Sequence, residues 1–272
     1  MKENQAALPG EGLKPEKMPG HWVLAQMGKR VLRPGGIELT WQMLDALAIG
    51  NDDHVVEFAP GLGATAQRTL ECEPASYTAI ERDEQAAEYV RTFLTHSSQQ
   101  VVCGHAEETG LPTDSATVVY GEAMLSMQPA QVKARIFGEA HRLLKPNGRY
   151  AIHELCLTPD DLDESTRDEI HHALSDAIHT GVRPLTPQEW RSELEAAGFT
   201  IAAEAHAPMH LLEPRRLVQD EGLVGGLRFF WNVFRNKKTR KRVLAMRSVF
   251  RKYGQHLAAI MLVAHKTEGA DK

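Results

Sequence analysis

Short apolar runs that alternate with helical segments constrain this chain more than any other feature. HVVEFA (54–59), YTAIE (77–81), QQVVCG (99–104), ATVVYG (116–121) and GRYAIHEL (148–155) each have the length and β-branched content of a buried strand. Helical segments fill much of the space between them: 64–72, 83–94 and 129–144, the last with Ile136, Ala140, Leu143 and Leu144 on one face. Parallel neighbours need crossovers of a dozen or more residues, so this rhythm requires a mainly parallel sheet with helices on both faces.

The flanks extend that plan. A helix is predicted over 37–49 from the spacing of Ile37, Trp41, Leu44, Leu47 and Ala48, with Arg33-Pro34-Gly35-Gly36 as the loop before it and Gly50 as its end. After Leu155 the alternation breaks. Residues 158–180 are polar, acidic and helical in character. In TPQEWRSELEAAGF (186–199), Thr186 can cap a helix with Glu189 three residues on, and Gly198 ends it. FTIAAEAHA (199–207) reads as a sixth strand and HLAAIMLVAHK (256–266) as the last. Between them, 213–254 is helical and basic, interrupted at Gly222 and Gly225-Gly226. The expected organisation is a flexible lead-in over 1–20 and one domain over 21–272, with a helical lid at 21–50 and cap insertions at 158–185 and 213–254.

A chain of 272 residues with 42% hydrophobic residues can bury one large core. The net charge of −5 argues against a dedicated DNA binder. No apolar run approaches the roughly 20 residues of a membrane span, and the start of the sequence lacks a signal-peptide pattern, so a cytoplasmic protein is expected. Cys72, Cys103 and Cys156 form no disulfide framework and read as reduced, buried thiols.

The loop after the first strand carries the chemistry. Gly61-Leu62-Gly63-Ala64-Thr65-Ala66 fits G-x-G-x-x-A, and such a loop lets backbone approach a ligand at a helix N-terminus. Dehydrogenases use the same device for a pyrophosphate, so the string alone does not choose. Glu57 tips the balance. A carboxylate four residues before Gly61 would repel a pyrophosphate and attract a cation, and Pro60 further departs from the dehydrogenase pattern. Glu57 can also be read as a cap on the loop's own N–H groups.

Taken together, VVEFAPGLG (55–63) resembles motif I of the class I S-adenosylmethionine-dependent methyltransferases, with Ala59 where that family's middle glycine stands. Other motifs follow in order: Glu81 at the end of YTAIE, then Gly104-His105-Ala106-Glu107 with Leu111-Pro112, then HRLLKPNGRYAIHE (141–154), then EWRSELEAAGF (189–199). The resemblance spans about 52–199 plus the final strand. It implies a doubly wound, Rossmann-like α/β sheet of seven strands with an antiparallel last strand, and S-adenosyl-L-methionine as cofactor. It implies cofactor contacts from Glu57, Ala59, Pro60, Gly61 and Gly63 at the loop, from Glu81 and Arg82 at the ribose, and from His105, Ala106 and Glu107 at the adenine. The usual aspartate there is His105, so either its imidazole or the Ala106 N–H reads the base. The segment GKRVLRPGGIELT (28–40) is similar to the family's N-terminal lid, which implies that Arg33 and the amides at Gly35 engage the cofactor carboxylate; an ordinary helix-start loop is the other reading.

Methyl transfer from a sulfonium needs alignment more than acid–base help. The catalytic residue is therefore unknown, with Glu122 and His153, after strands four and five, as the candidate bases; Glu122 is also a candidate cofactor contact. His171, His172, His179, His206 and His210 lack metal-ligand spacing, so no metal is expected. The segment 228–252 combines Phe229, Phe230, Trp231, Val233 and Phe234 with many Lys and Arg. It reads as a cap with its aromatic face over the substrate, ahead of a membrane-surface helix or an anion-binding patch. The acceptor is expected to be a small molecule, lipid-like or aromatic. A catalytically silent cofactor-binding module and an NAD-dependent oxidoreductase are the rival readings.

Overall fold

In the computed structural model, residues 8–10, 18–30 and 32–267 are described. The elements run α1 (Gly20–Gln26), α2 (Gly36–Leu47), β1 (His54–Phe58), α3 (Ala64–Glu71), β2 (Ser76–Glu81), α4 (Glu84–Arg91), β3 (Gln99–Cys103), β4 (Ala116–Glu122), α5 (Ala130–Leu143), β5 (Leu144–Leu157), α6 (Glu164–Ile178), α7 (Pro187–Ala196), β6 (Phe199–Pro208), α8 (Pro214–Arg235), α9 (Lys237–Lys252) and β7 (Leu257–Lys266). The strands form one seven-stranded sheet in the order β3-β2-β1-β4-β5-β7-β6. β1 to β5 are parallel, and β7 runs antiparallel between β5 and β6.

Alternation along the strands builds two cores. Val56, Phe58, Val119, Ile152 and Leu262 face α5 and α7, where Ile136, Phe137, Trp190 and Leu194 are buried. Val55, Val118, Tyr120, Ala151 and Val263 face the opposite side, with Leu39, Met43 and Leu47 of α2. A third cluster joins α1, α6, α8 and α9 beyond the carboxyl ends of the strands, through Trp22, Leu174, Phe229, Met246 and Phe250. Helices and turns thus roof the edge at which an open parallel sheet binds ligands.

Local rules hold where they are strongest. Thr186 and Glu189 form the full capping box of α7. Four expectations differ. Cys103 is exposed, because β3 is the edge strand, and only Cys156 is buried. α8 runs through Gly225-Gly226 and breaks only at Gly222 (φ 73°, ψ 170°). α1 is an additional helix. Within the lead-in, Pro9, Gly10, Met18 and Gly20 are buried, and the Gly10 N–H donates to Gln85 Oε1 at 3.0 Å; the rest of the lead-in lies outside the described residues.

Candidate active site

A cavity of about 390 Å³ lies over the carboxyl ends of β1, β2, β4 and β5, within the roughly 300–1,000 Å³ of ordinary ligand pockets. Its floor is the turn after β1. Ala59 (φ 53°) and Gly61 (φ 57°) both hold left-handed backbone there, and the Ala59 N–H donates to the Ile80 carbonyl at 2.8 Å. Ala59, Pro60 and Gly61 line the cavity. Gly63 does not. A Cβ on Gly63 would stand 2.2 Å from the Phe93 ring, so this glycine serves helix packing rather than ligand contact.

Glu81 closes the turn. Its Oε2 accepts the Gly61 N–H at 3.1 Å and its Oε1 accepts the Asp83 N–H at 3.0 Å. Burial raises its pKa, against the pull of those two amides. Each oxygen keeps a second lone pair for a diol. Arg82, Asp83, His105, Ala106 and Glu107 line the same end of the cavity. His105 is mostly exposed and stands 3.9 Å from Glu107, while Ala106 is buried.

Glu57 neither caps the loop nor reaches its amides. It is buried, with Oε2 accepting from the Tyr77 hydroxyl at 2.6 Å and from the Tyr120 hydroxyl at 2.7 Å. Burial pushes its pKa up to about 7, against the two tyrosine hydrogen bonds. Tyr77 and Tyr120 come from the strands on either side of β1, and Glu57 is in register with Tyr120.

Beside it stands a buried cluster built on Glu122. Arg33 Nη1 and the Thr65 hydroxyl donate to Glu122 Oε2, the Thr40 hydroxyl to Oε1 at 2.6 Å, and His153 Nδ1 lies 2.7 Å from Oε1. Burial alone would raise Glu122, but Arg33, His153 and Thr40 outweigh it and hold the carboxyl at about 2. Glu122 lines the cavity with both oxygens already engaged, so it anchors Arg33 and the lid beside the floor turn. His153 is fully buried, and its Nε2 meets the Pro34 carbonyl at 2.6 Å. Pro34 O can only accept, so Nε2 carries a proton, and the ring spans from the lid to Glu122. His153 does not line the cavity; it bridges the Pro34 carbonyl and Glu122 behind it.

Arg33 does line the cavity. Its side chain is 8% exposed, and its Nε and Nη2 have no hydrogen-bond partner among the described residues. Two buried guanidinium nitrogens without a partner, on a residue that lines the cavity, favour an anion nearby. Gly35, in contrast, faces away: a Cβ there would meet Ala259 at 2.7 Å, and its carbonyl accepts from Arg216. The Gly35-Gly36 turn therefore docks the lid on β7 and α8. Below it, the Lys29 ammonium is fully buried against Asp220 at 3.0 Å, and the Ile37 N–H donates to Asp220 Oδ1 at 3.3 Å.

Sequence reasoning missed His21, Trp22, Met246 and Phe250, all of which line the cavity. Burial, then Arg82, lowers His21 to about 4 against Asp83, and its Nδ1 has no partner among the described residues. The apolar wall includes Leu155, Met209 and Leu211. Among the described residues, no three His, Cys, Asp or Glu converge as a metal site, and no helix is long and apolar enough to cross a membrane.

Residues 56–152 match a family described as methyltransferase domain. An uncharacterized protein of Haemophilus influenzae is 29% identical over 230 residues, 82% of this chain and 90% of that protein. A demethylmenaquinone methyltransferase of Chlamydia muridarum is 30% identical over 124 residues, 44% of this chain and 52% of that protein. The structure of Haemonchus contortus phosphoethanolamine N-methyltransferase 2 in complex with S-adenosyl-L-methionine is similar with a TM-score of 0.68 at 15% identity, over 92% of this chain and 57% of that one. Residues 56–152 thus resemble the methyltransferase-domain family, and the chain shares the fold of that solved structure, a seven-stranded sheet with an antiparallel last strand.

Proposed function

We propose that this protein transfers a methyl group from S-adenosyl-L-methionine to a small apolar acceptor, lipid-like or aromatic. The observation that carries the reading is the cavity's charge pattern. Arg33 presents two unpartnered buried donors for a carboxylate. Glu57 lies below the same loop as a buried acid that a nearby ammonium would ionise. Glu81 keeps acceptor capacity for ribose hydroxyls, with Arg82 beside it and His105, Ala106 and Glu107 in place for the adenine. A dinucleotide pyrophosphate satisfies Arg33 but not Glu57 and Glu81 together.

When bound, the cofactor supplies a methyl group already activated on a sulfonium. The chain's own residues then hold the acceptor in line and exclude water. Trp22, Met209, Leu211, Met246 and Phe250 suit an apolar acceptor, and the similarity to a demethylmenaquinone methyltransferase supports that class. His21, held neutral, has a buried, unpartnered ring nitrogen in the cavity that suits a hydrogen bond to the acceptor.

Titration calorimetry with S-adenosylhomocysteine and with NAD tests the cofactor. Labelled-methyl transfer to a fractionated lipid and quinone extract tests the acceptor. Micromolar binding of the first ligand only, with label in an apolar fraction, is expected. NAD binding, or cofactor binding without transfer to any fraction, overturns the reading.

A further inference from the structure

α8 carries a second apolar face that is exposed in the described structure. Beyond the break at Gly222, Phe229 and Val233 point inward to the cluster that holds Met246 and Phe250. On the outer side, Leu223, Leu227, Phe230 and Phe234 recur at i, i+4, i+7 and i+11, with Val224 and Trp231 beside them. These six residues are 40–81% exposed. Isolated exposed leucines are ordinary, but a continuous stripe of large apolar side chains on one helix marks an interaction surface.

The charge around the stripe selects the partner. From Gly222 to Gly254 there are ten Lys and Arg and no Asp or Glu; the remaining 21 basic residues share the chain with all 36 acidic ones. Arg247 and Arg251 pair with Glu213, and Lys252 with Glu169. Arg228, Arg235, Lys237 and Lys241 are exposed around the stripe. Two basic groups lie over its aromatic rings: Arg235 is 5.8 Å from the Trp231 centroid and Arg240 is 5.9 Å from that of Phe234. An apolar stripe bordered by aromatic rings and cations, on a chain that is otherwise acidic, fits a surface that is apolar beneath an anionic layer.

We infer that the helix over 223–235, with the basic start of α9, lies flat on an anionic lipid bilayer, sinking Leu227, Phe230, Trp231 and Phe234 below the headgroups. The opposite face of the same helix packs on the residues that line the cavity, so the bilayer lies about one helix diameter, roughly 10 Å, from that wall. The inference goes beyond the methyl-transfer reading, and an apolar acceptor gives it a purpose. Its test does not depend on turnover.

The test is flotation of the purified full chain with vesicles of phosphatidylcholine alone and of phosphatidylcholine with phosphatidylglycerol, at low and high salt. Binding to the anionic vesicles only, weakened by salt, is expected. L227E/F234E and R235E/K241E should each reduce partitioning at least about tenfold, since one basic residue near such a surface is worth about fivefold. Both variants should keep the parent melting midpoint and cofactor affinity, which separates lost docking from lost folding. No binding to anionic vesicles overturns the inference, as does equal binding by the variants. A dimer in ultracentrifugation that L227E/F234E converts to monomer, without vesicle binding, assigns the stripe to a second copy of the chain and overturns it as well.

Discussion

Glu81 and Gly61 are tied to each other across the turn that floors the cavity: the carboxylate ending β2 accepts the Gly61 N–H at 3.1 Å while its other oxygen holds Asp83. The acid proposed to meet a diol thereby also fixes the loop beside it. Glu81→Ala should weaken S-adenosylhomocysteine binding by about 1–3 kcal/mol, the loss of a charge-assisted bond plus a loosened turn. Calorimetry reads this directly, and unchanged affinity in a folded variant removes Glu81 from the site.

Glu57 should make the protein sensitive to pH near neutrality. Its pKa is raised from 4.5 unfolded to about 7 folded, so the folded state binds the proton more tightly. The contribution to stability is fully present below pH 4.5 and fades as pH rises through about 7, an effect of roughly 3 kcal/mol at most. Glu57→Gln should therefore flatten the melting-temperature profile between pH 5 and 8. An ammonium at the site favours the ionised form, so cofactor affinity of the parent should increase as pH rises through about 7, and that dependence should vanish in the variant.

Glu122→Ala should destabilise by about 3–5 kcal/mol, because it leaves the Arg33 guanidinium buried without its anion. Stability from this carboxyl, held at about 2, is present above pH 4.5 and lost as pH falls toward 2. His153→Gln should lower the melting point yet leave the pH dependence of turnover in place. Loss of only the acidic limb of that profile, the limb a general base governs, with the fold intact, returns His153 to the role of base.

Gly63→Ala should cost about 1–3 kcal/mol, from overpacking against Phe93 and from left-handed backbone at φ 67°. Phe93→Leu in the same chain should recover the packing part only. A double-mutant cycle by chemical denaturation separates the two, and additivity contradicts the contact.

Much of this molecule was legible before its structure. The alternation of runs from His54 to Leu155 carries the parallel sheet, and Thr186 with Glu189 carries the start of α7. The turn from Ala59 to Gly61, Glu81 and the stretch from His105 to Glu107 line one cavity, because local sequence sets strand ends and strand ends set the floor. The rest depended on long-range partners. Nothing near Glu57 announces Tyr77 and Tyr120, and nothing near Gly35 announces Ala259 or Arg216. His21 sits on a helix too short for periodicity to reveal. In α8 the aromatic residues stand on two faces, so pattern alone could not tell that Trp231 and Phe234 look away from the cavity while Met246 and Phe250 of α9 line it.

The placement of β7 between β5 and β6 has a consequence for biosynthesis. β5 and β6 leave the ribosome first, yet neither bonds the other. Each keeps a bare row of amides and carbonyls until residues 257–266 emerge and slot in from the far end of the chain. A ribosome stalled after α9 would hold a nascent protein with two sticky margins, the species that chaperones must shield.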